Sequence, residues 1–475
     1  MTTHPLRTAL IASALVTLAR LVLLPFYDTA LGPDEAQYWY WGQDLAWGYY
    51  SKPPVIGWLI ALTTGALGDH AWAVRFASPI LIGLAGLFLF GAARRLYGPV
   101  PAMWTLTLWH LLPAVMLGAT IITTDVPLLA CWSAALYVLV RMTEAGARPM
   151  RWAVPMGIAV GLGLLSKYAM IYWPIALGLA LTLSPRARRT GAMPLLVAGV
   201  IAAAIFAPNV AWNLSNGAQT FEHTADNADW RGRLQWGEFG QFVGDQFGVA
   251  GPLVFAAFLA WAVLGPKSDR ERMLLGFAVL PVALICAQAL LSRAHANWAM
   301  TAYPAITVLL PGWLAGRRGA WVLRTSAGLH AAVGIGATVI LLHLPLADTF
   351  GLSNAIKRLR GWDETTADVL AAYDRGGYDR LLLDDRELAA HLVWELRDAG
   401  IEIAVLDLNA RLDNTYEIAL PYAARPGERL LLVTQNDARF FKRLGAVPIG
   451  EVFVDLRAER FGKPERRLTL YAVSE

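Results

Sequence analysis

The sequence predicts an α-helical protein that crosses a membrane many times, with amphipathic helices in its first large loop and a small α/β domain at its C-terminal end. Three observations carry this. First, the 475 residues are 56% hydrophobic and only 16% charged, with a mean hydropathy of +0.44, too apolar for an ordinary soluble chain of this length. Second, the apolar residues fall in continuous runs approaching the roughly 20 residues a helix needs to cross a hydrocarbon core, and runs that do not alternate exclude a membrane β-barrel. Third, composition turns charged and soluble-like after residue 345.

Reading the runs in order places spans at 9–27, 73–92, 99–117, 126–141, 152–166, 169–184, 191–211, 247–264, 273–291, 298–314 and 325–344, about eleven helices. Arg7 ahead of the first run resembles a signal peptide, but Arg20 interrupts the run and no small-residue cleavage site follows, so it reads as an uncleaved span. Every second loop is basic: Arg94 and Arg95, then Arg141, Arg148 and Arg151, then Arg186, Arg188 and Arg189, then Lys267, Arg270 and Arg272, and finally Arg317, Arg318 and Arg324. By the positive-inside rule these loops and the N-terminus are cytoplasmic. An odd number of spans then sends the tail to the outer, non-cytoplasmic side. The net charge of +4 is thus a topology signal and does not indicate a nucleic-acid partner. Cys131 and Cys286 both lie in apolar runs without metal-ligand spacing, so neither a disulfide nor a zinc site is expected.

The domains expected are residues 1–345, embedded in the membrane, and 346–475, an extracytoplasmic α/β domain. Within the latter, Arg380–Leu383, Ile401–Leu406 and Leu430–Val433 read as strands, the first two separated by a helix over 387–398 that stops before Gly400. No GxGxxG or P-loop is present, and the chain has no internal repeat.

Chemistry is expected on the outward face. The first large loop opens with Asp34 and Glu35 in GPDEAQYWYW and reaches Lys52 in SKPP, where Pro53 and Pro54 stop one amphipathic helix and start the next. Its aromatics suit a membrane interface. The acid pair fits a helix N-terminus, yet an acid pair just outside a span, with a lysine on the same loop, also fits proton removal beside an anion. Asp125 in TTDVP sits at the outward end of a span, where a cap explains an acid equally well. Lys167 in SKYAM is an isolated lysine on the face without basic clusters, suited to snorkelling or to a phosphate. Arg293, His295, Asn297 and Tyr303 lie near the outer surface, and Arg293 with His295 is suited to hold a phosphate or an acceptor. The loop with Glu222, His223, Asp226, Asp229, Arg231 and Arg233 is polar throughout but lacks metal spacing. A carboxylate that removes a proton and cations that stabilise a phosphate leaving group make a consistent set without a metal.

These motifs, GPDEAQYWYW at 32–41, SKPP at 51–54, TTDVPLL at 123–129, GLGLLSKYAM at 161–170 and HANW at 295–298, resemble the GT-C glycosyltransferases. The nearest resemblance is to the bacterial family-39-type enzymes that use polyprenyl-phosphate sugars: lipid A aminoarabinose transferases, lipopolysaccharide galacturonic acid transferases and protein mannosyltransferases. It extends over roughly residues 1–315. It implies transfer of one sugar, with inversion, from a polyprenyl-phosphate donor to a lipid or glycolipid acceptor such as lipid A or lipopolysaccharide core, among membrane lipids on the outer, periplasmic face of a bacterial inner membrane. By the chemistry above no cofactor is required, and a divalent metal, though compatible with it, has no support in ligand spacing. Residue by residue it implies Asp34 as the base on the acceptor hydroxyl, with Glu35 positioning it. Lys52 and Lys167 would be phosphate contacts, Asp125 would shape the site, and His295 would contact donor or acceptor; Glu35, Arg293 and Tyr303 on the same face are expected to bind substrate as well. Ser51 stands where the family often has glutamate, which removes an accessory acid there. Two other classes compete on the sequence alone. One is a transporter or lipid-sugar flippase, prompted by intramembrane charges such as Arg20, although neither paired halves nor interrupted helices are visible. The other is a non-catalytic sensor or assembly factor whose tail binds a partner.

Overall fold

The computed structural model describes residues 4–226, 232–315, 319–409, 412–436, 441, 444–456 and 465–474. Of the residues singled out above, Asp229, Arg231, Arg317 and Arg318 lie outside the described residues, as do the side chains of His223 and Asp226.

The chain divides into two compact units. One comprises Met1–Pro25 and Leu45–Gly336; the other comprises Phe26–Asp44 and Ala337–Glu475. The boundary expected at residue 345 is therefore not a single cut, because the segment holding Asp34 groups with the C-terminal residues.

In the first unit the helices Ala71–Tyr97, Asp125–Met142, Ala192–Ser215 and Asp269–Leu291 are long and apolar enough to cross a membrane, as are the helices Pro5–Phe26 and Ala320–Leu342 that run across the unit boundary. Shorter apolar helices, Val55–Leu67, Met150–Ser166 and Tyr168–Leu183, accompany them. Several runs expected to be continuous are interrupted, each for a local reason. The run 99–117 breaks into Pro99–Leu111 and Pro113–Gly118: proline disfavours helical backbone in the residue before it, and Leu112 is extended at ψ 129°. The run 247–264 is two helices, Trp236–Ala250 and Pro252–Leu264, bent by 117°. Gly251 makes that corner at φ 82°, where a Cβ would also strike the His330 ring. The run 298–314 opens as a 3-10 stretch, Ala296–Ala302, before the helix Tyr303–Leu314.

The charge inside the first span is accounted for. Arg20 donates from Nη2 to the His110 carbonyl at 2.7 Å and lies 3.3 Å from His110 Nδ1, while Ser13 Oγ is 3.1 Å from His110 Nε2. Arginine held this way needs no transport role, since a buried cation is retained where backbone and side-chain acceptors meet it. Among the basic loops, Glu144 bridges Arg95 at 2.8 Å and Arg141 at 3.0 Å.

The second unit contains a five-stranded sheet: β1 Arg380–Leu383, β2 Ile403–Val405, β3 Arg429–Thr434, β4 Val447–Asp455 and β5 Glu465–Ser474, in the order β2-β1-β3-β5-β4. The strands β2, β1 and β3 are parallel, with Leu382 opposite Ala404 on one side and Leu432 on the other. Next to them β5 and β4 continue antiparallel. The three expected strands and the helix between the first two are present, that helix at Arg386–Glu395. Parallel central strands are buried on both faces and read as apolar runs. By contrast β4 exposes most of its residues, so the sequence marks it weakly.

Candidate active site

In the second unit the helix Pro33–Gly42 begins where the sequence places its start signals: Pro33 occupies the first turn and Glu35 Oε2 accepts from the Gly32 N–H at 2.9 Å. Glu35 is thereby buried, 4% exposed, and serves the helix end. Asp34, one residue earlier, points the other way and is 59% exposed in its side chain. The helix stops at Gly42, well ahead of Pro53 and Pro54; only the second expected helix, Val55–Leu67, is started by that pair.

The aromatic residues after Glu35 are not an interfacial belt. Tyr38, Trp39 and Trp41 are buried, packed on residues more than 350 positions later in the chain. Trp39 meets Trp394 edge to face at 4.8 Å. Trp41 Nε1 donates to Thr415 Oγ1 at 2.8 Å, and Tyr40 lies 5.2 Å from Tyr416. Such pairs favour edge-on geometry and hold an amphipathic helix firmly. Their consequence is that Asp34 meets Arg386: the Arg386 Nη2–H donates to Asp34 Oδ1. Arg386 begins the helix Arg386–Glu395, whose N-terminus is capped by Asp385 Oδ1 accepting from the Leu388 N–H at 2.9 Å. Beside this pair the Tyr416 phenol is fully buried and without a hydrogen-bond partner among the described residues. Burial raises its pKa above the ordinary tyrosine value, so the phenol stays neutral; the Arg386 charge opposes that rise, and the Tyr40 and Asp34 charges add to it.

In the first unit three sequence motifs converge. Asp125 opens the helix Asp125–Met142. Its Oδ1 accepts from Lys167 Nζ at 2.7 Å and its Oδ2 from Asn297 Nδ2 at 2.8 Å. Lys167 is extended, at φ −162° and ψ 135°, just past the helix Met150–Ser166, which turns its side chain out of the helical path. The neighbouring Tyr168 hydroxyl donates to Asn209 Oδ1 at 2.9 Å, and Asn209 Nδ2 donates to the Trp47 carbonyl at 2.6 Å. With Thr220 Oγ1 donating to the Tyr49 carbonyl at 2.7 Å, these bonds fix the turn closed by the Tyr49 N–H on the Lys52 carbonyl at 3.1 Å. Gly48 is required within it, because a Cβ would lie 2.4 Å from the Trp212 ring.

Other expected residues are placed apart from this cluster's hydrogen bonds. His295 is exposed and stands edge-on to Trp298 at 5.1 Å; Arg293 is exposed beside it. Tyr303 is buried and donates its hydroxyl to Gln246 Oε1 at 2.7 Å, and Gln246 Nε2 donates to the Ala296 carbonyl at 3.0 Å. Tyr303 therefore braces the segment that carries Asn297. Among the described residues no three His, Cys, Asp or Glu side chains are grouped as metal ligands. Two residues were not singled out by the sequence as site members: Asn297, visible within HANW but given no role of its own, and Arg386, which has no local motif.

A family model described as dolichyl-phosphate-mannose-protein mannosyltransferase matches residues 51–212. The lipid A galacturonosyltransferase RgtD of Rhizobium johnstonii is 37% identical over 406 residues, 82% of each chain. An undecaprenyl phosphate-alpha-4-amino-4-deoxy-L-arabinose arabinosyl transferase of Pseudomonas fluorescens is 26% identical, covering 76% of this chain and 67% of that one. The fold matches the crystal structure of ArnT from Cupriavidus metallidurans bound to undecaprenyl phosphate, with a TM-score of 0.69, 17% identity, and 99% and 98% of the two chains covered. The fold likeness thus includes the C-terminal domain, beyond the reach of the motifs. With interrupted apolar helices, an acid on the first loop helix and a relative this close over four-fifths of its length, the chain is a multi-pass membrane glycosyltransferase of the GT-C fold and belongs to the family of RgtD.

Proposed function

We propose that this enzyme transfers a single galacturonic acid residue from a polyprenyl-phosphate donor to lipid A, on the periplasmic face of the bacterial inner membrane. The observation that carries the sugar and the acceptor is the 37% identity, across 82% of both chains, to a lipid A galacturonosyltransferase. The family model for protein mannosyltransferases reaches only residues 51–212. By this reading the N-terminus and the basic loops are cytoplasmic and the C-terminal domain is periplasmic.

Asp34 is the base. Its Oδ2 takes the proton of the acceptor hydroxyl as that oxygen attacks the anomeric carbon. The bond from that carbon to the phosphate oxygen breaks on the opposite side, its electron pair leaves with the polyprenyl phosphate, and the anomeric configuration inverts. Lys52 and Lys167 stabilise the charge that develops on the departing phosphate. Lys167 has three N–H groups, one of them committed to Asp125, so two remain for an anion. Asp125 and Asn297 hold that lysine in place, Glu35 holds the helix end that presents Asp34, and Arg293 and His295 contact the acceptor from their exposed loop. Tyr303 supports the Asn297 segment from the core. Lysines supply the positive charge, so by this reading no metal is required and a chelator leaves the rate unchanged.

Asp34→Asn is expected to lower turnover by about 100-fold to 10,000-fold, the contribution of a positioned general base, with unchanged membrane insertion because Asp34 is largely exposed. Turnover is read in reconstituted vesicles, and the transferred group by mass spectrometry of envelope lipid A from cells with and without the active enzyme. Loss of one hexuronic acid mass is expected; loss of a different sugar overturns the substrate, and normal turnover by Asp34→Asn overturns the base.

A further inference from the structure

We propose that Arg386 is the residue that selects an acidic sugar, by binding the sugar's carboxylate with the part of its guanidinium that Asp34 leaves free. This rests on the galacturonic acid reading above and gives it a residue. The pair belongs to one compact unit: Asp34 lies in Phe26–Asp44 and Arg386 in Ala337–Glu475. Arg386 uses Nη2 to donate to Asp34 Oδ1. Its side chain is 39% exposed, so the remaining N–H groups of a planar fork with five donors face solvent. Arginine is suited to two parallel bonds with a carboxylate, and a fork already held on one edge has less freedom to lose when the second edge binds.

Three further observations make this place fit for an anion beside a base. Arg386 opens a ten-residue helix, so the positive end of that helix faces the same position. The helix is held by its cap on Leu388 and by Trp394 against Trp39, so the guanidinium and the Asp34 carboxylate stand on two packed helices rather than on loops. The Tyr416 hydroxyl, fully buried and near enough to feel both charges, has no hydrogen-bond partner among the described residues, and an unsatisfied buried polar group calls for an explanation such as a small movement on binding. A carboxylate on Arg386 would orient the sugar ring from the carbon farthest from the reacting centre. One arginine then couples recognition of the donor to the residue that activates the acceptor.

The test uses the full-length enzyme in lipid nanodiscs with lipid A as acceptor and two synthetic donors, polyprenyl-phosphate galacturonic acid and polyprenyl-phosphate galactose, which differ at C6 only. The readout is the ratio of kcat/KM for the acidic donor to that for the neutral one. The wild type is expected to favour the acidic donor, and Arg386→Gln to lower that ratio by about 100-fold, the upper scale for losing a hydrogen bond to a charged group. Arg386→Lys, which keeps the charge but not the fork, is expected to lower it by about 10-fold. A ratio unchanged in Arg386→Gln overturns the proposal; if that variant is not recovered as a monodisperse protein, an unchanged ratio in Arg386→Lys does so. A wild type that prefers the neutral donor overturns the galacturonic acid reading instead. A purely structural role for Arg386 would lower both rates together and leave the ratio where it was.

Discussion

Asp125 and Asp34 are both acids at the first turn of a helix, one in each unit, and their surroundings are opposite. The Asp125 side chain is 12% exposed and both of its oxygens are engaged, by the Lys167 ammonium and the Asn297 amide. The Asp34 side chain is 59% exposed and one oxygen is engaged, by a guanidinium that is itself 39% exposed. An acid whose two oxygens each accept from a fixed donor is held in place by them, and it ties together the segments that reach it. One with an open oxygen can accept a proton. The same residue type in the first turn of a helix thus divides into a strut and a candidate base according to its neighbours.

The comparison is broken most severely by removing the cation from the strut. Lys167→Met leaves the Asp125 charge partly buried beside an amide alone, and breaking such a pair costs about 3 kcal/mol, the lower end of the range for buried pairs because both partners retain some solvent. The unfolding midpoint in detergent is expected to fall accordingly. Pairing it with Asp125→Asn should restore part of the loss, since the uncompensated charge is gone. If Lys167→Met melts like the wild type, Asp125 is not a strut. The corresponding change in the other unit, Arg386→Gln, exposes Asp34 to water rather than stranding it. Its effect on stability is expected to be within about 1 kcal/mol, as for exposed ion pairs.

A smaller effect sharpens the strut itself. Asn297→Ala removes one of the two donors to Asp125 and leaves Oδ2 to find water, at a cost of about 1–2 kcal/mol. Because Lys167 is then the remaining tether, its position should loosen. KM for the polyprenyl-phosphate donor is expected to rise more than kcat falls, read from steady-state kinetics on reconstituted enzyme. A fall in kcat with KM unchanged would show that Asn297 serves the acceptor side instead.

The parts of this site were visible in the sequence in proportion to how local they are. TTDVP, SKYAM and HANW each stand out as polar residues at the edges of apolar runs, but Asp125 is 172 residues from Asn297, and nothing in either motif says that they share a hydrogen bond. Arg386 was invisible for a stronger reason. It lies 352 residues from Asp34, past the end of the recognisable motifs, and is an ordinary first-turn residue of an ordinary helix. Tyr38, Trp39 and Trp41 read as interfacial because aromatic residues at a span's edge suit lipid headgroups as well as they suit a domain surface; their partners, Trp394 and Thr415, decide it. The corner at Gly251 escaped a reading based on apolar content, because glycine and proline are tolerated in spans and mark a break only once the backbone is known. In the sheet, β1 and β3 were legible as buried apolar runs, whereas β4 exposes most of its residues and shifts register between Pro448 and Gly450.

A third acid, this one buried, extends the comparison to a carboxylate with no ion-pair partner among the described residues. Asp384 follows β1, is 8% exposed, and accepts on Oδ2 from Thr434 Oγ1 at 2.6 Å and Asn436 Nδ2 at 2.8 Å, while Oδ1 is buried without a partner among the described residues. Burial pushes its carboxyl above the ordinary value, against the two hydrogen bonds that favour the charged form. A raised value in the folded state means that the folded domain holds this proton more tightly than the unfolded chain. The stability it contributes is present below the ordinary carboxylate range and is lost as pH rises through the raised value. Asp384→Asn keeps an acceptor for Thr434 and removes the charge. Protection of the β1 and β3 amides in the full-length enzyme, corrected for intrinsic exchange, is therefore expected to decline with rising pH in the wild type and to stay level in the variant. The difference should be small, confined to those strands, and absent from the Asp125–Met142 helix, where Lys167 supplies the positive charge that Asp384 lacks. Equal pH dependence in wild type and Asp384→Asn would show that the sheet tolerates a charged Asp384 at no cost.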